Sequence, residues 1–177
     1  DIPTTSMRIL LLTPPMTQVN TPYPATAYLT GFLRSRGFQA FQADPALEIV
    51  LQLFSRSGLE DISKELKKTF SSQSTAAPES VIHYLKFEED YLSTIDGVIK
   101  FLQNEDPTLA YRIATQNYLP EGPRFRSLQD LNVTGSDGLQ WAFGALGVQD
   151  KAQHLASLYI DDLVDVVKDG IDSRFTF

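Results

Sequence analysis

Ile9 to Leu12 is an apolar run without alternation, and Pro14 and Pro15 follow its end almost at once. No other feature constrains the fold as tightly. A strand that is apolar in both side-chain directions suits a parallel sheet covered on both faces, and two prolines stop it from continuing. From Pro24 the spacing turns helical, with Tyr28, Leu29, Phe32 and Leu33 along one stripe and Gly37 placed as a left-handed stop. Phe38, Ala40 and Gln42 then alternate with Gln39, Phe41 and Ala43, which predicts a second short strand. Strand, crossover helix and strand together predict a parallel, right-handed unit.

Asp44 is placed to cap a helix beginning at Pro45, "PALEIVLQLFSR". Beyond it the strand signals fade. Leu59, Ile62, Leu66 and Phe70 make one helical stripe, and Val81, Leu85, Leu92, Ile95, Ile99 and Leu102 make a longer one that Gly97 is expected to break. "SSQSTAAPES" reads as a flexible connection, Asp106 and Pro107 open another helix, and "LPEGPRFRSLQDLNVTGSDG" is irregular. The last long helix runs from about Gln149 to Asp169, with Ala152, Leu155, Tyr159, Leu163 and Val166 inward.

The expected class is therefore α/β, a Rossmann-like strand-helix-strand start with a large helical remainder. Residues 1–6, "DIPTTS", match nothing that follows and read as an expression leader. Residues 7–58 form the β-α-β-α unit, and 59–177 the mainly helical region of the same domain. Two parallel strands leave both edges open, so the sheet is expected to be incomplete. Either a further strand lies near "RFRSLQDLNV", or residues or chains beyond this sequence complete it. The aromatic ending "DSRFTF" favours a fragment of a longer protein.

Several function classes are excluded by composition. A length of 177 residues, 42% of them hydrophobic, suits one compact domain with or without an appendage. With no cysteine, the chain itself can hold no disulfide, thiolate zinc site or iron–sulfur cluster. A net charge of −7 opposes binding to nucleic acid. The one basic group, Lys64, Lys67 and Lys68, is interleaved with Glu60, Asp61 and Glu65 and reads as a solvated, ion-paired helix face. No apolar run is long enough to cross a bilayer and no secretory signal stands at the N-terminus, so a cytoplasmic location is the default.

Ligands of open α/β sheets sit at the carboxyl ends of the strands. That places Thr13, Pro14, Pro15, Thr17, Gln18 and Asn20 after the first strand, and Asp44 after the second, where a ligand would be. The loop lacks the glycines that bring backbone against a diphosphate, and it reads equally as a rigid corner, with Asp44 as a helix cap. His83 and His154 read as ordinary helix-surface residues. Asp161, Asp165 and Asp169 fall on one helix face, read as solvated rather than as a cation site. Tyr84, Phe87, Tyr91, Trp141 and Phe143 read as core or interface. No catalytic or metal-ligating residue is singled out.

The run "RILLLTPPMTQVNTPYPATAYLTGFLRSRGFQAFQAD" resembles the start of radical SAM enzymes that carry an N-terminal cobalamin-binding-like domain, and "LYIDDLVDVVKDGIDSRFTF" is similar to a segment that precedes their remaining strands and barrel. The likeness covers both ends of the chain well and the helical middle poorly. It implies an accessory domain that is not catalytic alone and whose partner is the rest of its own polypeptide, a radical SAM barrel with a [4Fe–4S] cluster and S-adenosylmethionine. It further implies a cobalamin or substrate site at Thr13, Pro14, Pro15, Thr17, Gln18, Asn20 and Asp44. The family's Asp-x-His-x-x-Gly cobalt-ligating loop has no counterpart here, and because many of its members lack that histidine the resemblance leaves two alternatives, cobalamin bound without a protein ligand or no cobalamin at all. Two other readings stand beside this one: an independent small-molecule or nucleotide-binding domain, and a helical interaction module. An open sheet edge also makes a homo-oligomer an expectation.

Overall fold

A computed structural model describes residues 7–13, 24–72, 76–126 and 147–175. Its described residues divide into two compact units, one reaching Gln52 and the other beginning at Leu53.

The first unit holds β1 (Arg8–Leu12), α1 (Pro24–Ser35), β2 (Gln39–Ala43) and all but the last residue of α2 (Pro45–Leu53). The two strands pair in parallel, from Arg8 opposite Gln39 to Leu12 opposite Ala43. Helix α1 ends as its glycine predicts. Gly37 takes φ +85°, its N–H donates to the Arg34 carbonyl at 3.0 Å, and the Phe38 N–H reaches back to the Leu33 carbonyl at 3.1 Å. The Arg34 side chain then donates from Nε to the Ala40 carbonyl at 2.7 Å, tying the helix end to the second strand.

Two expectations for this unit are corrected. The predicted inner stripe of α1 is largely outside, with Tyr28 78% and Phe32 55% exposed and Leu29 half exposed. Thr26 and Thr30 face inward instead. The reason is steric and polar: short threonines let the helix lie close to the sheet, and the Thr30 hydroxyl satisfies itself on the Thr26 carbonyl at 2.7 Å. Likewise β1 is not covered on both faces among the described residues. Ile9 and Leu11 are half-buried, whereas Leu10 and Leu12, beside Phe41 of β2, are exposed.

The second unit is helical: α3 (Arg56–Ser72), α4 (Glu79–Lys86), α5 (Glu88–Leu102), α6 (Ala110–Ala114) and α7 (Val148–Gly170), with 3-10 turns at Pro107–Leu109 and Pro123–Phe125. Asp106 opens the first turn by accepting the Thr108 N–H at 3.1 Å. Leu59, Ile62 and Leu66 of α3 pack inward, as do all five residues of the predicted α7 stripe. Burying each large side chain of that stripe contributes about 1.5–3 kcal/mol.

The long stripe from Val81 to Leu102 belongs to two helices, and the break lies at Phe87 rather than at Gly97. Gly97 continues α5 because another group needs its space: a Cβ there would strike the Tyr118 hydroxyl. The lysine face is as expected, with Lys64 on Asp61 at 2.8 Å, Lys67 on Glu88 at 2.6 Å and Lys68 on Glu65 at 3.5 Å. No helix among the described residues is long and apolar enough to cross a membrane. The segment around "RFRSLQDLNV" forms a 3-10 turn at its start, and 127–133 lie outside the described residues.

Candidate functional site

In the first unit, both strands end at one edge. The Thr13 N–H donates to the Ala43 carbonyl at 3.0 Å, which extends the pairing one residue past β1 and fixes Thr13 beside the start of α2. Asp44 begins that helix: its Oδ1 accepts the Leu47 N–H at 3.0 Å, its carbonyl accepts the Glu48 N–H at 3.0 Å, and Pro45 occupies the first helical position. Thr13 is buried, with its hydroxyl 3.5 Å from that of Thr26 on α1.

Between these elements opens a cleft of about 340 Å³, lined by Thr13, Thr26, Gln42, Asp44, Glu48 and the apolar Ala27, Leu47 and Leu51. The polar groups that face it are two hydroxyls, one amide and two carboxylates. Such a set accepts hydrogen bonds and favours cations or hydroxyl groups, and it offers no arginine or lysine for a phosphate. The volume lies near the lower end of the range for small-molecule sites, roughly 300–1,000 Å³.

The structure thus brings together two of the predicted site residues, Thr13 and Asp44. Pro14, Pro15, Thr17, Gln18 and Asn20 lie outside the described residues. Thr26 and Glu48 were not foreseen. Their signals were position alone: Thr26 stands two residues into a helix that must start at the strand's carboxyl end, and Glu48 one turn after the cap. The described lining contains no histidine that could ligate cobalt. No reaction step is therefore assigned to cobalamin here.

No family model, curated protein or solved structure matches this chain.

The second unit contains a buried polar network that sequence reading missed. Asp162 of α7 is only 3% exposed. Its Oδ1 accepts the Arg124 backbone N–H at 2.9 Å, and its Oδ2 is buried with no hydrogen-bond partner among the described residues. Gly122 lies so close that a Cβ would strike this carboxyl group. Burial pushes the Asp162 carboxyl up to about 6 and the negative Asp165 adds to the rise, while the Arg124 and Gly122 backbone N–H groups and the Arg124 charge oppose it.

Burial first, and then the Asp162 charge, push the Tyr91 phenol far above its ordinary value. Its hydroxyl stands 3.5 Å from His83 Nδ1. Burial in turn lowers the His83 imidazole, against a hydrogen bond to the Glu121 carbonyl that raises it. The Tyr91 ring stacks on Tyr159 at 5.2 Å and tilts against Tyr84 at 5.3 Å. The Tyr84 hydroxyl donates to the Leu59 carbonyl at 2.9 Å and lies 2.8 Å from the Ser63 hydroxyl, so this aromatic core is hydrogen-bonded as well as packed.

The expected acidic face of α7 is exposed at Asp169 and partly exposed at Asp161 and Asp165, but it is bonded as well as solvated. Asp165 receives the Arg124 guanidinium, and Asp169 accepts from the Ser80 hydroxyl at 2.7 Å. Those carboxylates hold neighbouring segments instead of facing water alone. Among the described residues no group of three or more acidic or histidine side chains is arranged to hold a metal ion.

Proposed function

We propose that the first unit is a Rossmann-like module that binds a small, hydroxyl-bearing ligand, uncharged or cationic, at the carboxyl edge of its parallel strands. The observation that carries this reading is the cleft in which Thr13, Asp44 and Glu48 meet. Strand ends in parallel sheets leave a crevice that side chains from the following turns can line. One oxygen of Asp44 serves the helix, and its carboxylate retains further lone pairs for a ligand hydroxyl.

On the resemblance of the N-terminal run to radical SAM enzymes, we read the chain as an accessory domain of such an enzyme. The cluster and S-adenosylmethionine would belong to the barrel, because this chain has no thiolate to offer. Binding of a substrate portion suits a cleft of this size.

Calorimetric titration with adenosine, ATP and hydroxocobalamin tests the ligand class. Saturable binding of adenosine, weakened by Asp44→Asn and not shared by ATP, supports the module; preference for ATP, or no binding of adenosine, overturns the assigned class. A cobalamin spectrum that shifts on titration would restore the corrinoid. The accessory reading has its own test in the gene. A coding sequence that continues past Phe177 into Cys-x3-Cys-x2-Cys supports it, and a natural stop codon at that point defeats it.

A further inference from the structure

The segment 118–126 is anchored on the helical unit by three side chains, Tyr118 against Gly97, Leu119 and Phe125, and polar groups hold it between them. Arg124 grips Asp165, Arg126 pairs with Glu79, the Gln116 amide reaches Glu121 at 2.8 Å, and His83 bonds the Glu121 carbonyl. Beneath its middle, Gly122 is pressed against the buried carboxyl of Asp162, whose second oxygen lacks a partner among the described residues. A buried carboxylate with one orphaned oxygen is costly, and the cost ends when either a proton or water reaches it.

We propose that residues 118–126 form a strap over α7, and that ionisation of Asp162 loosens it. With Asp162 protonated, the strap closes over a neutral group; with Asp162 ionised, lifting the strap lets water solvate the charge. The groups facing Asp162 set the response. From the strap comes Arg124, with Glu121 turned to Gln116 instead, from α5 Tyr91, from α4 His83 behind Tyr91, and from α7 itself Asp165 and the adjacent Asp161. The charged residue of α6, Arg112, is turned to the Tyr118 ring at 4.6 Å. His83 meets the strap through its hydrogen bond to the Glu121 carbonyl, which favours the imidazolium against the burial that disfavours it.

The test is amide hydrogen exchange of the whole chain between pH 5 and 7.5, corrected for intrinsic rates. The Arg124 N–H donates to Asp162 and the Phe125 N–H to the Gly122 carbonyl at 3.0 Å, so both report the strap, while Val98 and Phe101 in α5 report the core. A carboxyl moving from about 6 when closed to an ordinary 3.8 when open makes opening roughly tenfold more frequent at pH 7.5 than at pH 5. Asp162→Asn should abolish that dependence. Strap protection that does not change with pH, that changes by the same factor as the core amides, or that keeps its dependence in Asp162→Asn overturns the proposal.

Discussion

Arg124 meets Asp165 with a two-pronged pair, Nε to Oδ2 at 2.6 Å and Nη2 to Oδ1 at 2.8 Å, while its backbone N–H serves the neighbouring Asp162. One residue thus answers two carboxylates on successive turns of α7, one partly exposed and one buried.

Removing the outer pair should cost little. The Arg124 side chain is about half exposed, so Arg124→Ala or Asp165→Ala is expected to destabilise the helical unit by only about 0.5–1 kcal/mol. Chemical denaturation at low and high salt checks this, since most of the loss should disappear in 1 M salt.

Asp162 and His83 should oppose each other in the pH dependence of stability. The folded value of Asp162 is raised to about 6, so its contribution is fully present below 3.8 and is lost as pH rises through 6, amounting to roughly 3 kcal/mol. His83 is lowered below 6.5, so its contribution is present above 6.5 and is lost as pH falls through the folded value. Unfolding free energies from pH 4.5 to 8 should rise toward neutral less in His83→Gln than in the wild type. In Asp162→Asn they should rise more.

Two glycines carry opposite expectations. Gly122→Ala drives a methyl into the Asp162 carboxyl and should cost about 1–3 kcal/mol, partly recovered in the double variant with Asp162→Ala. Gly31 lies inside α1 with open space around it, so Gly31→Ala should stabilise the first unit by about 0.5–1 kcal/mol. The Thr13 amide reports that gain as slower hydrogen exchange.

Tyr28→Ser and Phe32→Ser on α1 should leave the monomer's stability within about 0.5 kcal/mol, because neither ring is buried. Thr30→Leu, which puts bulk on the close-packed side, should be the damaging change. Thermal unfolding of the three variants distinguishes the observed inward face from the one that hydrophobicity alone suggests.

These cases show which physics a single sequence exposes. The strand pair, the Gly37 stop and the Asp44 cap were legible because each is decided by residues within a few positions of one another. The inward face of α1 was not, since close approach to a sheet selected Thr26 and Thr30 over larger neighbours. Asp162 was hidden by its company: adjacent aspartates suggested water. Yet it stands three residues after Tyr159 and four before Val166, on the buried side of the helix. That spacing was the available clue. Gly97 looked like a helix breaker because the Tyr118 hydroxyl that needs its space is distant in sequence.

Phe87 ends α4 by donating to the His83 and Tyr84 carbonyls at 3.1 and 3.2 Å, and its own carbonyl starts α5 by accepting the Tyr91 N–H at 3.1 Å. A joint made of one residue has no slack, so the two helices keep a common phase. That is why their stripes read as one continuous helix. One residue inserted or deleted there would rotate α5 by about 100° against α4 and carry Tyr91 away from both Tyr84 and Tyr159. Length changes that a longer connection would absorb are therefore expected to be intolerable at this joint, whatever amino acid is used.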